Sequence, residues 1–193
     1  METAEVLELF SRYDAYLEGH FLLTSGLHSP HYFQCARVLQ YPGPAEKLGA
    51  ALAARLGMAG RATTVLSPAM GGLIIGHELG RALGCRAIFA ERQDGAMRLR
   101  RFNIASGEKV VAVEDVVTTG GSLEETVKLA LEAGAEVIAR CCLVDRSDKN
   151  NPPVPGLVSL VKVDVINYNP ADCPLCKGGK PLVKPGSRTP GKA

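Results

Sequence analysis

The chain has 193 residues, 46% apolar and 5% aromatic with no tryptophan, and a formal net charge of +2. That length suits one domain with a small appendage, its core filled by Val, Leu, Ile and Ala. So small a charge is no reason to expect nucleic acid, and there is no run of roughly 18 apolar residues to span a membrane. METAEVLELF lacks the basic start of an export signal, so the chain reads as cytoplasmic.

Taken in chain order, residues 2–17 repeat apolar positions at helical spacing, with Gly19 closing the segment. FLLTSGLHSPHYFQC follows as two extended pieces joined by a Ser/Gly/Pro turn. The spacing predicts helices over 44–57, behind Pro42 and Pro44, and over 71–84. Strands are expected at 63–67 and 86–90. Residues 91–108 read as a loop or mobile hairpin. A strand is expected over 109–116 and a helix over 122–134, with Ser122 near its N-cap and Glu125 placed for a capping box. Another long apolar strand covers 135–145. This alternation predicts βαβ units, an α/β fold and a mostly parallel sheet flanked by helices. Beyond residue 146 come a surface loop, a strand or two within 157–166, and a tail rich in Gly, Pro and Lys. Both chain ends fit a doubly wound sheet poorly. They are expected to form an accessory lobe above the carboxyl edge of the sheet, with the last few residues disordered.

Six cysteines stand at 35, 85, 141, 142, 173 and 176. Cys141 and Cys142 sit in an apolar run and read as buried thiols facing opposite ways in a strand. Only Cys173 and Cys176 form a C-x2-C pair. One such pair supplies two thiolates, where structural zinc usually takes four protein ligands. No second pair and no histidine partner follow it, so no metal is expected there unless two copies of the chain assemble a site.

The chemistry concentrates in VVAVEDVVTTGGSLEE, residues 110–125. An apolar strand ends in Glu114 and Asp115, passes through Thr118, Thr119, Gly120, Gly121 and Ser122, and enters a helix. Such a turn aims several backbone N–H groups at one point, and the helix N-terminus adds partial positive charge, so it can hold a phosphate without a lysine. The two acids suit a sugar diol. A phosphate site beside a diol site describes a ribose 5-phosphate. A P-loop would need a lysine after the glycines, and the dinucleotide fingerprint is absent.

VVAVEDVVTTGGS closely resembles the phosphoribosyl-pyrophosphate (PRPP) signature of the type I phosphoribosyltransferases. The resemblance implies a five-stranded parallel core at about 42–148 and a hood from about 18–41 and 155–185, within one domain spanning 1–193. It implies that Glu114 and Asp115 contact the ribose hydroxyls. Val117, Thr118, Thr119, Gly120, Gly121 and Ser122 would wrap the 5-phosphate. It also implies Mg²⁺, held mainly through PRPP and pyrophosphate rather than by an all-protein metal site.

The choice of base rests on the ends of the chain. FLLTSGLHSPHYF at 21–33 resembles the N-terminal segment of orotate phosphoribosyltransferases. SPAMGG at 67–72, with Ala69, Met70 and Gly71, resembles their pyrophosphate loop, and LVDRSD at 143–148 their base-pocket segment. LRRF and CPLCKGGKPLVKPGSR look like the shorter branch of that family. Orotate is an anionic pyrimidine, and Arg146, just past a strand end, suits its carboxylate. Thr24, Tyr32, Phe33 and Thr118 complete the implied base contacts. Tyr32 and Phe33 point opposite ways in a strand, so one is expected to stack on the base. The sequence departs from the family at Thr24, where a lysine is frequent. It departs again in the segment 91–102, which offers Arg92, Arg98, Arg100 and Arg101 in place of lysines and a histidine. Arg92 and Arg98 are the candidate lid residues acting on pyrophosphate. In relatives this lid reaches the neighbouring subunit's site, implying a homodimer. A phosphoribosyltransferase for another base, such as a purine, and a non-catalytic PRPP-binding regulator remain open at this point.

Overall fold

The computed structural model describes residues 1–23, 26–58, 60–148, 150, 152–163 and 167–185. Its elements run α1 (Thr3–Arg12), β1 (Tyr16–Leu22), β2 (His28–Phe33), α2 (Ala36–Leu39), α3 (Pro42–Leu56), β3 (Thr64–Pro68) and α4 (Gly72–Leu83). Then follow β4 (Arg86–Gln93), β5 (Ala96–Arg98), β6 (Lys109–Val117), α5 (Gly121–Glu132), β7 (Glu136–Asp145), β8 (Val158–Lys162) and α6 (Pro174–Lys177).

The main sheet has six strands in the order β5-β4-β3-β6-β7-β8. Five are parallel, as the alternation of strands and helices predicts, and β5 adds an antiparallel edge by folding back on β4. Side chains alternate across β6, so its two faces feed different cores. Val111 and Val113 join the larger cluster with Leu48, Leu52, Ile75 and Leu79 from α3 and α4. Val110 and Ala112 face the other way, toward α5. The adjacent thiols divide likewise, Cys141 packing in the larger cluster and Cys142 beside Leu123 and Val127 of α5. Both are fully buried, and burial pushes both thiols well above their usual range.

The helix predicted to run to residue 17 ends at Arg12. The chain turns at Asp14, in the left-handed region at φ 51°, and enters β1. Tyr16 then pairs with Phe33 across the hairpin, ring centroids 4.8 Å apart, and that aromatic cross-strand pair outweighs the helical periodicity. The strand beyond 157 was assigned to the hood, yet β8 pairs in parallel with β7 as the edge of the main sheet. Leu160 and Val161 are buried in the larger cluster, which a hood hairpin would have left half-wet.

The hood is the antiparallel β1–β2 hairpin with the tail laid along both its edges. Val183 and the β1 edge exchange backbone hydrogen bonds, Leu22 N donating to Val183 O and Val183 N to His20 O, each at 2.8 Å. His28 and Tyr168 exchange a second pair, at 2.9 and 2.8 Å. This lacing corrects the expectation that Cys173 and Cys176 lack histidine partners. His20 and His28 of the hairpin lie against both.

At the opposite end of the sheet, Glu108 ties three strands together. It accepts hydrogen bonds from Thr64 Oγ1 at 2.5 Å and from Arg86 Nη2 at 2.8 and 2.9 Å. It also accepts one from the Ala105 backbone N–H at 2.7 Å. Thr64, foremost among these, holds the Glu108 carboxyl below its usual range. A carboxylate lowered by folding contributes stability above its unfolded pKa and loses it as pH falls. Glu108→Ala is therefore expected to cost about 1–2 kcal/mol in urea melts near neutrality. The deficit should shrink in acid, where the wild type loses the same contribution.

Candidate active site

β3 and β6 are neighbours, but the chain leaves β3 for β4 on one side and reaches β6 on the other. The strand order therefore reverses between them, and in open α/β sheets ligands bind outside the carboxyl ends at such a point. Two loops leave the sheet there. The first, after β3, carries Ala69, Met70 and Gly71; its Ala69–Met70 peptide is cis, and Ala69 N donates to Ala90 O at 2.7 Å. The second follows β6 and carries the acids and the Thr/Gly turn. They meet at one contact: a Cβ on Gly71 would sit 2.5 Å from Asp115 Oδ1. Only glycine lets the first backbone come this close to the carboxylate.

Glu114 and Asp115 are half-buried, and burial raises both. Glu114 is pushed up to about 7, first by desolvation and then by the neighbouring Asp115 charge. Asp115 is raised less freely, because backbone N–H groups of Val116 and of Asp115 itself stabilise its ionised form. Among the described residues no lysine or arginine forms an ion pair with either acid. The pair therefore favours a ligand that brings hydroxyl donors or a cation.

Beyond the acids, Gly120 takes the left-handed conformation, φ 74°, that turns the strand into α5. A side chain there would also strike Val154. No side chain caps α5, so the N–H groups of its first turn point outward from the turn. Thr118 and Thr119 are exposed beside them, Ser122 is half-buried, and Val117 is buried beneath. The capping box expected of Ser122 and Glu125 does not form. Gly120 occupies the N-cap, and Glu125 instead pairs with Arg92 at 2.9 Å.

Next to this turn lies a cavity of about 300 Å³ lined by Leu22, Leu23, Tyr32, Thr118, Arg146 and tail residues that include Lys184. Arg146 follows β7 directly, its backbone N–H donating to Val117 O at 2.7 Å, which holds it beside the Thr/Gly turn. The neighbouring acids are already engaged. Asp145 pairs with Lys162 at 2.6 Å and accepts from Ser147 N and Oγ, so its carboxyl stays low although burial pushes it up. Asp148 accepts from Asn150 N. Arg146 Nε is buried without a hydrogen-bond partner, and burial depresses the guanidinium. A buried cationic donor left unmatched is costly unless something anionic completes it. Of the two aromatics, Tyr32 lines the cavity. Phe33 packs in the core against Phe10 and Tyr16, its ring 6.0 Å beneath the Arg146 guanidinium carbon. Thr24 lies outside the described residues.

A sequence profile of the phosphoribosyl transferase domain matches residues 41–175. An orotate phosphoribosyltransferase of Heliobacterium modesticaldum is 49% identical over 191 residues, covering 98% of this chain and all of that one. One from Chlorobium phaeobacteroides is 47% identical over 97% of both chains. The chain belongs to the orotate phosphoribosyltransferase family. The crystal structure of the family member from Aeropyrum pernix, 25% identical, superposes with a TM-score of 0.65 over 82% of this chain and 93% of that one.

Within this family member, the segment after β4 is an ordered hairpin, β4–β5, turning at Asp94 and Gly95. Arg92 spans the turn, its guanidinium donating to Gly95 O at 2.7 Å and pairing with Glu125. Arg101 pairs with Glu91 at 2.9 Å. Arg98 is exposed on β5. The sequence missed Asn167, Lys184 and Pro185 as cavity residues. Its one hint was the basic excess of the tail.

The raised Glu114 has a thermodynamic signature. A carboxyl raised by folding favours the folded state below its unfolded pKa, and that advantage is lost as pH rises through the folded value. Glu114→Gln removes the titration. Relative to this variant, wild type should lose up to about 3 kcal/mol between roughly pH 4 and pH 8. The difference between their urea midpoints, followed across pH, checks it; a flat difference would mean Glu114 titrates normally.

Proposed function

We propose that the chain transfers ribose 5-phosphate from PRPP to N1 of orotate, giving orotidine 5′-monophosphate and pyrophosphate. One observation carries the choice of base. The half-buried Arg146, its buried Nε without a hydrogen-bond partner, lines a cavity beside the Thr/Gly turn. Orotate brings a carboxylate and ring carbonyls to such a donor, whereas the common purine bases carry no carboxylate.

In this reading the first turn of α5, with Thr118, Thr119 and Ser122, binds the 5-phosphate through N–H and hydroxyl donors. Glu114 and Asp115 accept hydrogen bonds from the ribose hydroxyls and fix the ring over the switch point. Tyr32 offers a ring face to the base, and Phe33 supports Arg146 from below. The loop of Ala69, Met70 and Gly71 would present backbone donors to pyrophosphate, held against the ribose by the contact of Gly71 with Asp115. The C1–O bond breaks ahead of N1 attack, so positive charge grows on the ribose while negative charge leaves with pyrophosphate. The two carboxylates favour the first.

The residues fit a magnesium ion carried in on PRPP. Glu114 and Asp115 are carboxylates without a cationic side-chain partner among the described residues, and they would hold the ion through the sugar hydroxyls. When bound, the ion neutralises charge on the leaving pyrophosphate. Arg92 and Arg98 would close over pyrophosphate from the β4–β5 hairpin and exclude water, across the interface of a homodimer. Both are exposed there, and the Arg92–Glu125 pair is a surface contact weak enough to exchange for a phosphate.

The test offers purified protein PRPP, Mg²⁺ and, in parallel, orotate, uracil, adenine, hypoxanthine and xanthine. Pyrophosphate release is expected with orotate; release only with another base would reject the assignment. Arg146→Ala should cut kcat/KM for orotate about 10- to 150-fold, the loss of one or two charge-assisted hydrogen bonds. PRPP affinity, measured by calorimetry without base, should change little. An equal loss of PRPP affinity would place Arg146 in the ribose site instead.

A further inference from the structure

Outside the ribose and base sites, four metal-ligating side chains converge from opposite ends of the chain. They are His20 on β1, His28 on β2, and Cys173 and Cys176 around α6, and their ligand atoms all lie within 4.8 Å of one another. His20 Nε2 stands 3.5 Å from Cys173 Sγ and 3.7 Å from Cys176 Sγ; His28 Nδ1 stands 3.4 Å from Cys176 Sγ and 2.9 Å from His20 Nε2. A tetrahedral zinc with ordinary Zn–N and Zn–S bonds has ligand–ligand edges of roughly 3.3–3.8 Å. These three nitrogen–sulfur spacings fall in that range, and the nitrogen pair is a few tenths short of it.

Three further features suit a metal. Three of the ligands are nearly excluded from water, with His20 2%, His28 5% and Cys173 0% exposed, while Cys176 leaves one side open. His20 Nδ1 lies 2.8 Å from the Lys180 carbonyl oxygen. That carbonyl can only accept, so Nδ1 carries the proton and Nε2 turns its lone pair toward the thiols, the outer-shell arrangement of metal-bound histidine. The one-turn α6, begun at Cys173 and closed by Lys177 N on Cys173 O and Gly179 N on Cys176 O, brings both sulfurs to one side.

We propose that His20, His28, Cys173 and Cys176 bind one structural Zn²⁺ within a single chain, clipping the tail to the hood hairpin. Two sulfur and two nitrogen ligands in tetrahedral array select zinc over the hard cations. On binding, Cys173 and Cys176 each release a thiol proton to solvent. The two thiolates and two neutral imidazoles then balance the charge of the ion, with no change of oxidation state. The clip lies between Asn167 and Lys184, two tail residues that line the base cavity. It thus fixes one wall of that cavity from outside it. The metal site stands whatever base the enzyme takes; only the effect on base binding rests on the function proposed above.

The full chain, expressed without a histidine tag and purified in reductant without chelator, should carry about one zinc per chain by mass spectrometry of the metal. Cys173→Ser/Cys176→Ser should carry none. Replacing zinc with Co²⁺ should give the intense visible bands of tetrahedral cobalt and a thiolate-to-cobalt charge-transfer band. His28→Ala should weaken both. Chelator should lower the Tm of wild type and leave that of the double variant unmoved. If the variants do not fold, the metal content and cobalt spectrum of wild type decide alone. Reduced wild type without zinc and without a tetrahedral cobalt spectrum would overturn the proposal. So would a native Cys173–Cys176 disulfide, seen as a mass two hydrogens lower in chain purified without reductant. Loss of orotate activity with zinc still bound would count against the proposed base and leave the clip in place.

Discussion

The contact of Gly71 with Asp115 is the constraint on which the rest of the site depends. It exists because β3 and β6 lie side by side while the chain enters them from different crossovers. That places the end of one strand, with its backbone loop, directly against the acids that end the other. A carboxylate pressed on a bare backbone loses water on one side, and burial raises both it and Glu114 beside it. Two acids are thus held in a place where neither is comfortable as an anion. The discomfort is relieved by hydroxyl donors or a cation, so the binding preference follows from packing rather than from any residue added for the purpose.

The cavity beside them follows a complementary logic. Its cation is half-buried with Nε unmatched, its two neighbouring acids are engaged elsewhere, and an aromatic ring supports it from below. The two halves carry opposite charges, two carboxylates near the end of β6 and a guanidinium just past the end of β7. A substrate pair divided the same way would be oriented by electrostatics before any close contact formed.

The ribose half was legible in the sequence because it is local. An apolar strand, two acids, a Thr/Gly turn and a helix lie in one continuous stretch, so composition and spacing already describe the geometry. Other features depend on partners far along the chain. That Asp145 pairs with Lys162 depends on β8 joining the main sheet, which nothing local to residues 157–166 dictates. The end of α1 depends on Tyr16 finding Phe33, and the loss of the Glu125 cap on Arg92 reaching it across the hairpin. The histidines beside Cys173 and Cys176 escaped for the same reason. Both precede the C-x2-C pair by some 150 positions, and only the folded hairpin brings them beside it.

The lacing of the tail along both edges of the β1–β2 hairpin also orders events during synthesis. Val183 must have left the ribosome before it can exchange hydrogen bonds with His20 and Leu22. By then every strand of the main sheet has already emerged, and the sheet can assemble first, with its Thr/Gly turn and paired acids in place. The Thr/Gly turn and the paired acids therefore do not depend on the tail, whereas the cavity wall that includes Lys184 does. The two halves of the site are built from parts of the chain that emerge at different times.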